Sequence, residues 1–497
     1  MDSPPPSPRL PVEHCPRWIG FVLLLAALAY GGFVYQLGAS YAAGSDSSGY
    51  LNSARLLSQG QVSEPVRPVA GLESPAWNYF YHQPLGYAVQ PGQPIMVPTY
   101  PVGLPLHYVV AAWVVGFEKT ARAVNTLTVL AAGFLLFALG RRLGLGRGWA
   151  VVAAALLWAC PIWIFHALQP LSDCVATTWL LAALLCALQA RDHPRWALVA
   201  GAAFGLAVLV RPTSFLAVFP LAVALGRPTR ATGLFILGGL PAAGFLAWYN
   251  LRVYGGVFQS GYNQGAEDLW SAFGWEFAGG NLRHFATWLP RVLSWPIIAL
   301  ALLGLPWLFR RHRPIALLLT GWFAAFLAFY TTYYCAGENW SYLRFLLPAF
   351  PAIILAALLV AQQATAALPR SVRRVAPAAV AVFALAGQLT MADELHVTDI
   401  RSGERSYWLA AQWINAHVPA NAILLTMQLS GAITFYDSQP LVRWDQINRD
   451  EFDRLRRTAA RLHRPLYAPL FGFEQKPFQE KFGGHWIVMG QVGDVAF

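Results

Sequence analysis

The sequence is short of charge. Only 12% of its 497 residues are Asp, Glu, Lys or Arg, about half the ~25% of a soluble globular domain, which excludes an ordinary water-soluble fold. Cysteine is scarce too: Cys15, Cys160, Cys174, Cys186 and Cys335 make up the set of five. None lies in a long stretch between apolar runs or after residue 393, and no CxxC pair occurs, so a disulfide-stapled outer domain and a thiolate metal site are both excluded. No GxGxxG or Walker loop marks a nucleotide site, and no repeat has a solenoid period. The net charge of +11 is spread between hydrophobic runs rather than gathered in one stripe, which argues against nucleic acid as a partner.

Apolar residues are abundant, at 56% with 20 Trp. Runs long enough to cross a ~30 Å hydrocarbon core recur from Trp18 to Met391, as expected of an α-helical polytopic membrane protein. Between them lie short basic clusters at Arg9/Arg17, Arg141/Arg142/Arg147, Arg191/Arg195, Arg227/Arg230, Arg310/Arg311/Arg313 and Arg370/Arg373/Arg374, fifteen Arg against Asp2, Glu13 and Asp192. The positive-inside rule sends all six to the cytoplasm. That requirement gives eleven spans at roughly 18–41, 122–140, 148–168, 174–190, 196–211, 213–226, 231–252, 289–309, 314–335, 345–362 and 375–392. Residues 1–17 are then a cytoplasmic Pro-rich tail, 18–392 the membrane domain with a large outer loop at 42–121, and 393–497 an extracytoplasmic domain. The apolar stretch 103–117 is fifteen residues long, marginal for crossing; counting it as a span would turn the later basic clusters outward, so it is expected in the outer interface or re-entrant. After Asp393 the charge density becomes ordinary, and helix-like pieces (406–418, 450–462, 474–482) alternate with extended ones (422–427, 465–471, 485–492), the pattern of a small α/β domain.

Every surface of useful size therefore faces outward, and the candidate chemistry lies there. Asp46, in "GSDSSGYLNSARLLSQG", stands where the chain leaves the first span. It can cap the helix that follows, with Gly60 at its C-terminal end, and it can also act on a substrate; the two roles are compatible. That helix presents Tyr50, Leu51, Ala54 and Leu57 on one face, as expected of a helix on the outer membrane surface. Asp173, in "QPLSDCVATTW", falls at the outer mouth between two spans, where a carboxylate is costly unless solvated or paired; it too reads as a cap or as a functional acid. Two carboxylates on one side of the membrane suit shared base duty or a divalent metal ion. Arg211, Arg252 and Arg344 sit at the outer boundary, against the bias that placed the other arginines inside. A lipid-linked phosphate explains them, as does snorkelling to headgroups or pairing with Glu338. The aromatic, Pro-rich stretches "YFYHQPLGY" and "VPTYPVGLPLHY" suit stacking on sugars or packing at the interface. Tyr50, His82, Tyr100 and Glu338 are the candidate substrate contacts.

The order of these pieces resembles a known group. A first span, an outer loop opening on an Asp and an aromatic-bearing helix, then "YPVGLPLHY", "ARAVNTLTVLAAGFLLFALGRRLG", "LSD", "GLAVLVRPT" and "RFLLPAFPAI" look like the GT-C superfamily of integral membrane glycosyltransferases. That superfamily includes protein O-mannosyltransferases, aminoarabinose transferases and family-39-like bacterial enzymes, and the likeness covers most of residues 18–360. The resemblance implies an enzyme of the inner (cell) membrane that moves a sugar from a polyprenyl-phosphate donor to a lipid, glycan or protein acceptor on the outer face, with inversion at the anomeric carbon. It matches Asp46 to the first-loop Asp, Asp173 to the acidic position after the third span, and Arg344 to a late R-(F/Y)-L-L-P segment. The chain departs from the pattern in having Ser47 and Ser48 where many members carry a second acid directly after the first, which bears on any adjacent-acid mechanism and on metal dependence. Two other classes remain: a polytopic transporter, which usually shows inverted repeats and acids within its spans, and a non-catalytic protein of envelope assembly.

Overall fold

The computed structural model describes residues 17–69, 71, 78–90, 93–226, 230–264 and 269–497; the Pro-rich tail with Asp2, Arg9 and Glu13, and Arg227, lie outside them. Helix α1 (Arg17–Leu37) leads into α2 (Asp46–Ser58), which ends where Gly60 adopts a left-handed φ of 71°, the C-terminal stop read from the sequence. The outer loop then forms a three-stranded antiparallel sheet, β1 (Glu64–Pro65), β2 (Tyr87–Val89) and β3 (Ile95–Pro98), with β3 in the middle. Helix α3 (Gly103–Val115) has 13 residues, roughly 20 Å at 1.5 Å per residue, too short for the hydrocarbon core.

The apolar helices that follow are α4 (Thr120–Arg142), α5 (Arg147–Ala159), α6 (Pro161–Ala167), α7 (Asp173–Gln189), α8 (Trp196–Val210), α9 (Val218–Leu225), α10 (Arg230–Tyr254), α11 (Ala278–Leu293), α12 (Trp295–Arg311), α13 (Arg313–Thr331), α14 (Phe350–Ala366) and α15 (Arg370–Glu394). Among the described residues five stretches are long and apolar enough to cross a membrane by themselves, those of α4, α10, α13, α14 and α15; α5 with α6, and α11 with α12, qualify only as bent pairs. The other four expected spans coincide with shorter apolar helices. Helix α7 is buried along nearly its whole length, Asp173 to Leu188. Helices α8 and α10 cross at Gly201 and Gly238, where an added Cβ would meet the Phe235 and Leu198 carbonyl oxygens at 1.9 and 2.0 Å, the small-residue contact typical of membrane helices.

The expected span at 289–309 is not one helix. It breaks at Ser294, with α11 and α12 meeting at 114°. Pro296, in the first turn of α12, permits the break, since it has no N–H to bond the preceding turn. Helix α11 is instead amphipathic, burying Asn281, Phe285, Leu289 and Leu293 along one stripe, as a helix lying across the bundle would.

The tail folds as a small α/β unit. Its helices α16 (Ile400–His417), α18 (Arg449–Arg461) and α19 (Gly472–Phe482) match the helical pieces read from the sequence. Short strands lie within the extended pieces read from the sequence, β4 (Ile423–Leu425), β6 (Leu466–Tyr467), β7 (Leu470–Phe471) and β8 (Gln491–Val492), while β5 (Leu441–Val442) and β9 (Val495–Ala496) fall outside them; β4, β5 and β6 pair in parallel with β4 central, and β7, β8 and β9 form an antiparallel sheet. Helix α17 (Ser430–Tyr436) was not anticipated, and it carries the main contact with the outer loop. Asn52 donates to the Gly431 carbonyl at 3.1 Å and Arg55 to the Phe435 carbonyl at 2.7 Å, and the Ala42 amide donates to the Tyr436 hydroxyl at 3.0 Å.

Helix α2 is therefore not a membrane-surface helix. Ser47, Ser48, Asn52 and Ser53, its polar face, are buried as fully as Tyr50, Leu51 and Ala54. It is held between the membrane unit and the tail, and Asn52 and Arg55 make its polar contact with α17.

Candidate functional site

The geometry starts at the first residue of α2. Asp46 was read as a possible cap, but the N-cap position is Ser45, with no side-chain capping bond. The Asp46 carboxylate instead accepts from Arg344 Nη1 at 2.6 Å. Arg344 sits in a 3-10 turn, Trp340–Phe345, whose start is capped by Asn339 accepting from the Ser341 amide. Burial pushes the Asp46 carboxyl up, but the Arg344 guanidinium and a hydrogen bond from Tyr100 outweigh it and hold the group below its ordinary range. Asp46 is thus an anion in the resting site.

Asp173 is likewise the first residue of its helix, and its neighbour Ser172 makes no side-chain cap. Arg211, at the extended residue that ends α8, is bonded to it. The two pairs are adjacent: the charge of Asp173 reaches Asp46, and the ring of Phe345 lies 5.6 Å from the Arg211 guanidinium and 5.4 Å from that of Arg344, a cation–π contact on each side.

Aromatics close the group. The Tyr50 hydroxyl donates to Ser172 Oγ at 2.9 Å, tying α2 to the start of α7. Tyr100 packs on Tyr50 at 5.1 Å between centroids and shares a 2.7 Å hydrogen bond with Ser45. Burial, and then the charge of Asp46, push both phenols up, so both stay protonated. Tyr262 meets Tyr100 edge-on at 6.1 Å. Tyr100 can lie this close because position 49 is Gly: a Cβ there would fall 2.4 Å from its ring.

Of the residues singled out from sequence, Asp46, Asp173, Arg211, Arg344, Tyr50 and Tyr100 come together, and three do not. Arg252 is exposed in the last turn of α10, away from this group. Glu338 is exposed and is not the partner of Arg344, whose bond goes to Asp46. His82 is buried at the tail, its Nδ1 2.8 Å from the Leu441 carbonyl oxygen; burial lowers its pKa, so it anchors the outer loop. A metal fits poorly: each carboxylate is held by a guanidinium, and among the described residues no three His, Cys, Asp or Glu side chains are grouped to hold an ion.

Sequence reasoning missed four participants. His166 bonds the Ser341 carbonyl through Nε2 at 3.1 Å, with Nδ1 unpartnered; a lone His in the apolar run before "LSD" was the available signal. Phe345 and Tyr262 were not singled out. Glu404, on α16 of the tail, is buried, with its carboxyl pushed up to about 8 by burial, and no local pattern announces it.

Residues 109–237 match the family model of dolichyl-phosphate-mannose-protein mannosyltransferases. Among solved structures, ArnT from Cupriavidus metallidurans bound to undecaprenyl phosphate matches with 15% identity over 96% of this chain and 97% of that one, at a TM-score of 0.58. The oligosaccharyltransferase of Archaeoglobus fulgidus, tethered to an acceptor peptide containing the NVT sequon, matches with 13% identity over 92% and 70%, at 0.56. The arabinofuranosyltransferase AftD from Mycobacteria matches with 16% identity over 86% of this chain but 32% of its own, at 0.51. No curated protein sequence matches the chain. At these identities the likenesses establish the fold: a multi-pass, mostly helical membrane protein of GT-C architecture with a small α/β tail.

Proposed function

We propose that the chain transfers a sugar from a polyprenyl-phosphate donor to a hydroxyl or amide acceptor at the outer face of the membrane, with Asp46 as general base and Arg344 as the partner of the donor phosphate. The observation that carries the reading is the 2.6 Å pair between these two side chains, on a fold whose ArnT example holds undecaprenyl phosphate. In the resting pair each group masks the other: a guanidinium bonded to Asp46 keeps it a weak base, and a carboxylate on Arg344 competes with phosphate. A donor phosphate that takes Arg344 relieves both at once. Asp46 is freed and becomes more basic, while the guanidinium turns to the group whose charge grows as the bond breaks.

The step balances without a further reactant. The acceptor gives its proton to Asp46 as its oxygen or nitrogen bonds the anomeric carbon, the bond from that carbon to the phosphate oxygen breaks on the opposite face, and polyprenyl phosphate leaves with the electron pair. Inversion follows from the single displacement. Asp173 and Arg211 brace the floor of the site. The fit of the donor to headgroup depth, and the outward placement read from the arginine clusters, support the outer face and a cell-membrane location.

The test is single-turnover release of polyprenyl phosphate by purified protein, against its Asp46→Asn variant. Asn keeps the shape and removes the basicity, so transfer should fall by about 10²-fold or more with an unchanged melting temperature. Retained transfer in the folded variant would remove Asp46 from the chemistry.

A further inference from the structure

The 3-10 turn that carries Arg344 is gripped from outside itself. Helix α6 lies in the interior, and its one titratable side chain, His166, is 2% exposed. His166 Nε2 stands 3.1 Å from the Ser341 carbonyl oxygen. A carbonyl oxygen only accepts, so Nε2 carries the proton. Nδ1 is buried and has no partner, which leaves the bond to Ser341 as the one hydrogen bond of the ring among the described residues. The preceding residue holds the same turn by packing: the Phe165 ring meets the Trp340 ring edge-on at 4.9 Å between centroids. Residues 340 and 341 are thus both fastened to α6. In a 3-10 turn residues i and i+3 stand in line, and the carbonyl of the first is directed at the amide of the second; the carbonyl that His166 holds therefore lies directly beneath Arg344. The guanidinium itself has few ties. Its Nη1 bonds Asp46 at 2.6 Å and its Nε is buried without a partner, while the rings of Tyr342 and Phe345, from the same turn, flank it at 5.6 and 5.4 Å. Its aim is set by the turn it stands on.

We propose that His166 is a positioning residue of the transfer site: acting through the Ser341 carbonyl, it fixes the Trp340–Phe345 turn and with it the angle at which Arg344 meets the donor phosphate. This rests on the reading of Arg344 as the phosphate partner. Three features separate the contact from ordinary packing. An apolar side chain would fill this interior position without burying a ring nitrogen that finds no partner, which costs free energy. The single bond that the ring does make goes to the turn bearing Arg344, and the neighbouring Phe165 ring is spent on the same turn. Finally, a donor phosphate that takes Arg344 from Asp46 also removes the bond that orients the guanidinium in the resting site. From then on the turn held by α6 keeps the fork pointed, and a forked guanidinium meets phosphate well only in a narrow range of directions.

The experiment uses the full-length protein in detergent with polyprenyl phosphate as the probe. It reads the Kd for that lipid and the melting temperature for His166→Leu, His166→Gln, His166→Asn, Arg344→Ala and the double variant His166→Leu with Arg344→Ala. A Gln side chain puts its amide nitrogen where Nε2 stands and can keep the bond to Ser341, whereas Asn reaches only as far as Nδ1. A positioning role predicts a Kd raised about 10-fold for His166→Leu and His166→Asn, the low end of the loss expected when a charge-assisted contact is misaligned. His166→Gln should stay close to wild type. With Arg344 already replaced by Ala, His166→Leu should weaken binding no further, because it acts only through that arginine. If His166→Leu does not fold, the two amide variants carry the same comparison. Losses that add, or a lower melting temperature with Kd unchanged, would overturn the proposal while leaving Arg344 as the phosphate partner. A wild-type protein that binds no polyprenyl phosphate, or an Arg344→Ala protein that binds it as tightly as wild type, would overturn the functional reading, and this role with it.

Discussion

Asp173–Arg211 and Asp46–Arg344 are built from the same two side chains, yet their surroundings differ. In the first, the acid and the arginine side chains are 2% and 13% exposed; in the second, 26% and 19%. The first joins the head of α7 to the end of α8, elements already packed within the membrane unit. The second joins the outer loop to a 3-10 turn late in the chain. Desolvated charges in good geometry gain little from exchange and lose heavily when one partner is removed, whereas a half-open pair can trade its partner for a ligand's charge. The difference teaches that an acid and an arginine at an outer span end are not a functional assignment by themselves; solvent access to the pair separates brace from working site.

The comparison can be broken at the buried pair first. Asp173→Ala should strand the Arg211 charge and cost about 3–5 kcal/mol of stability, seen as a sharp fall in melting temperature and yield. An Asp173→Ala protein that folds like wild type and merely fails to transfer sugar would reverse the two roles. Arg344→Ala should show the opposite balance: kcat/KM for the donor drops by about 10- to 150-fold, the ~1.5–3 kcal/mol of a charge-assisted contact, with a smaller loss of melting temperature than Asp173→Ala. Equal thermal losses in the two variants would erase the distinction.

A smaller effect concerns Glu404. Unfolded, it ionises near its ordinary 4.5; folded, it keeps its proton up to about 8. The folded state holds the extra proton between these values, so stability falls as pH rises through that window and levels off above it. Glu404→Gln removes the slope, and its melting temperature should gain on wild type from pH 5 to pH 8.5; parallel curves would mean that Glu404 is ionised when folded. The smallest expected effect is none at all. Because both site carboxylates are held by arginines, EDTA treatment should leave transfer unchanged, and a loss restored by a divalent ion would show that the pairs open to admit a metal.

The chain announced much of this in one dimension. Apolar run length is read by the bilayer locally, so spans such as 231–252 were legible residue by residue. Helix α18 was equally plain, with its Asn448 capping box and apolar stripe. Local pattern failed where a distant partner decided the outcome. The polar face of α2 looked solvent-facing because nothing near it reveals that α17 will cover it. Pro296 was visible, but the 114° turn it permits depends on what α11 packs against. Arg344 could be picked out as an arginine apart from the six basic clusters, but not matched to Asp46 rather than to nearby Glu338, and the burial of Glu404 had no local sign at all. Composition and periodicity determined the elements, because they act through solvent on each segment alone. Which acid met which arginine, and which pair stayed open to water, was decided only when the outer loop was closed between the bundle and the tail, because desolvation is a property of the assembled surroundings.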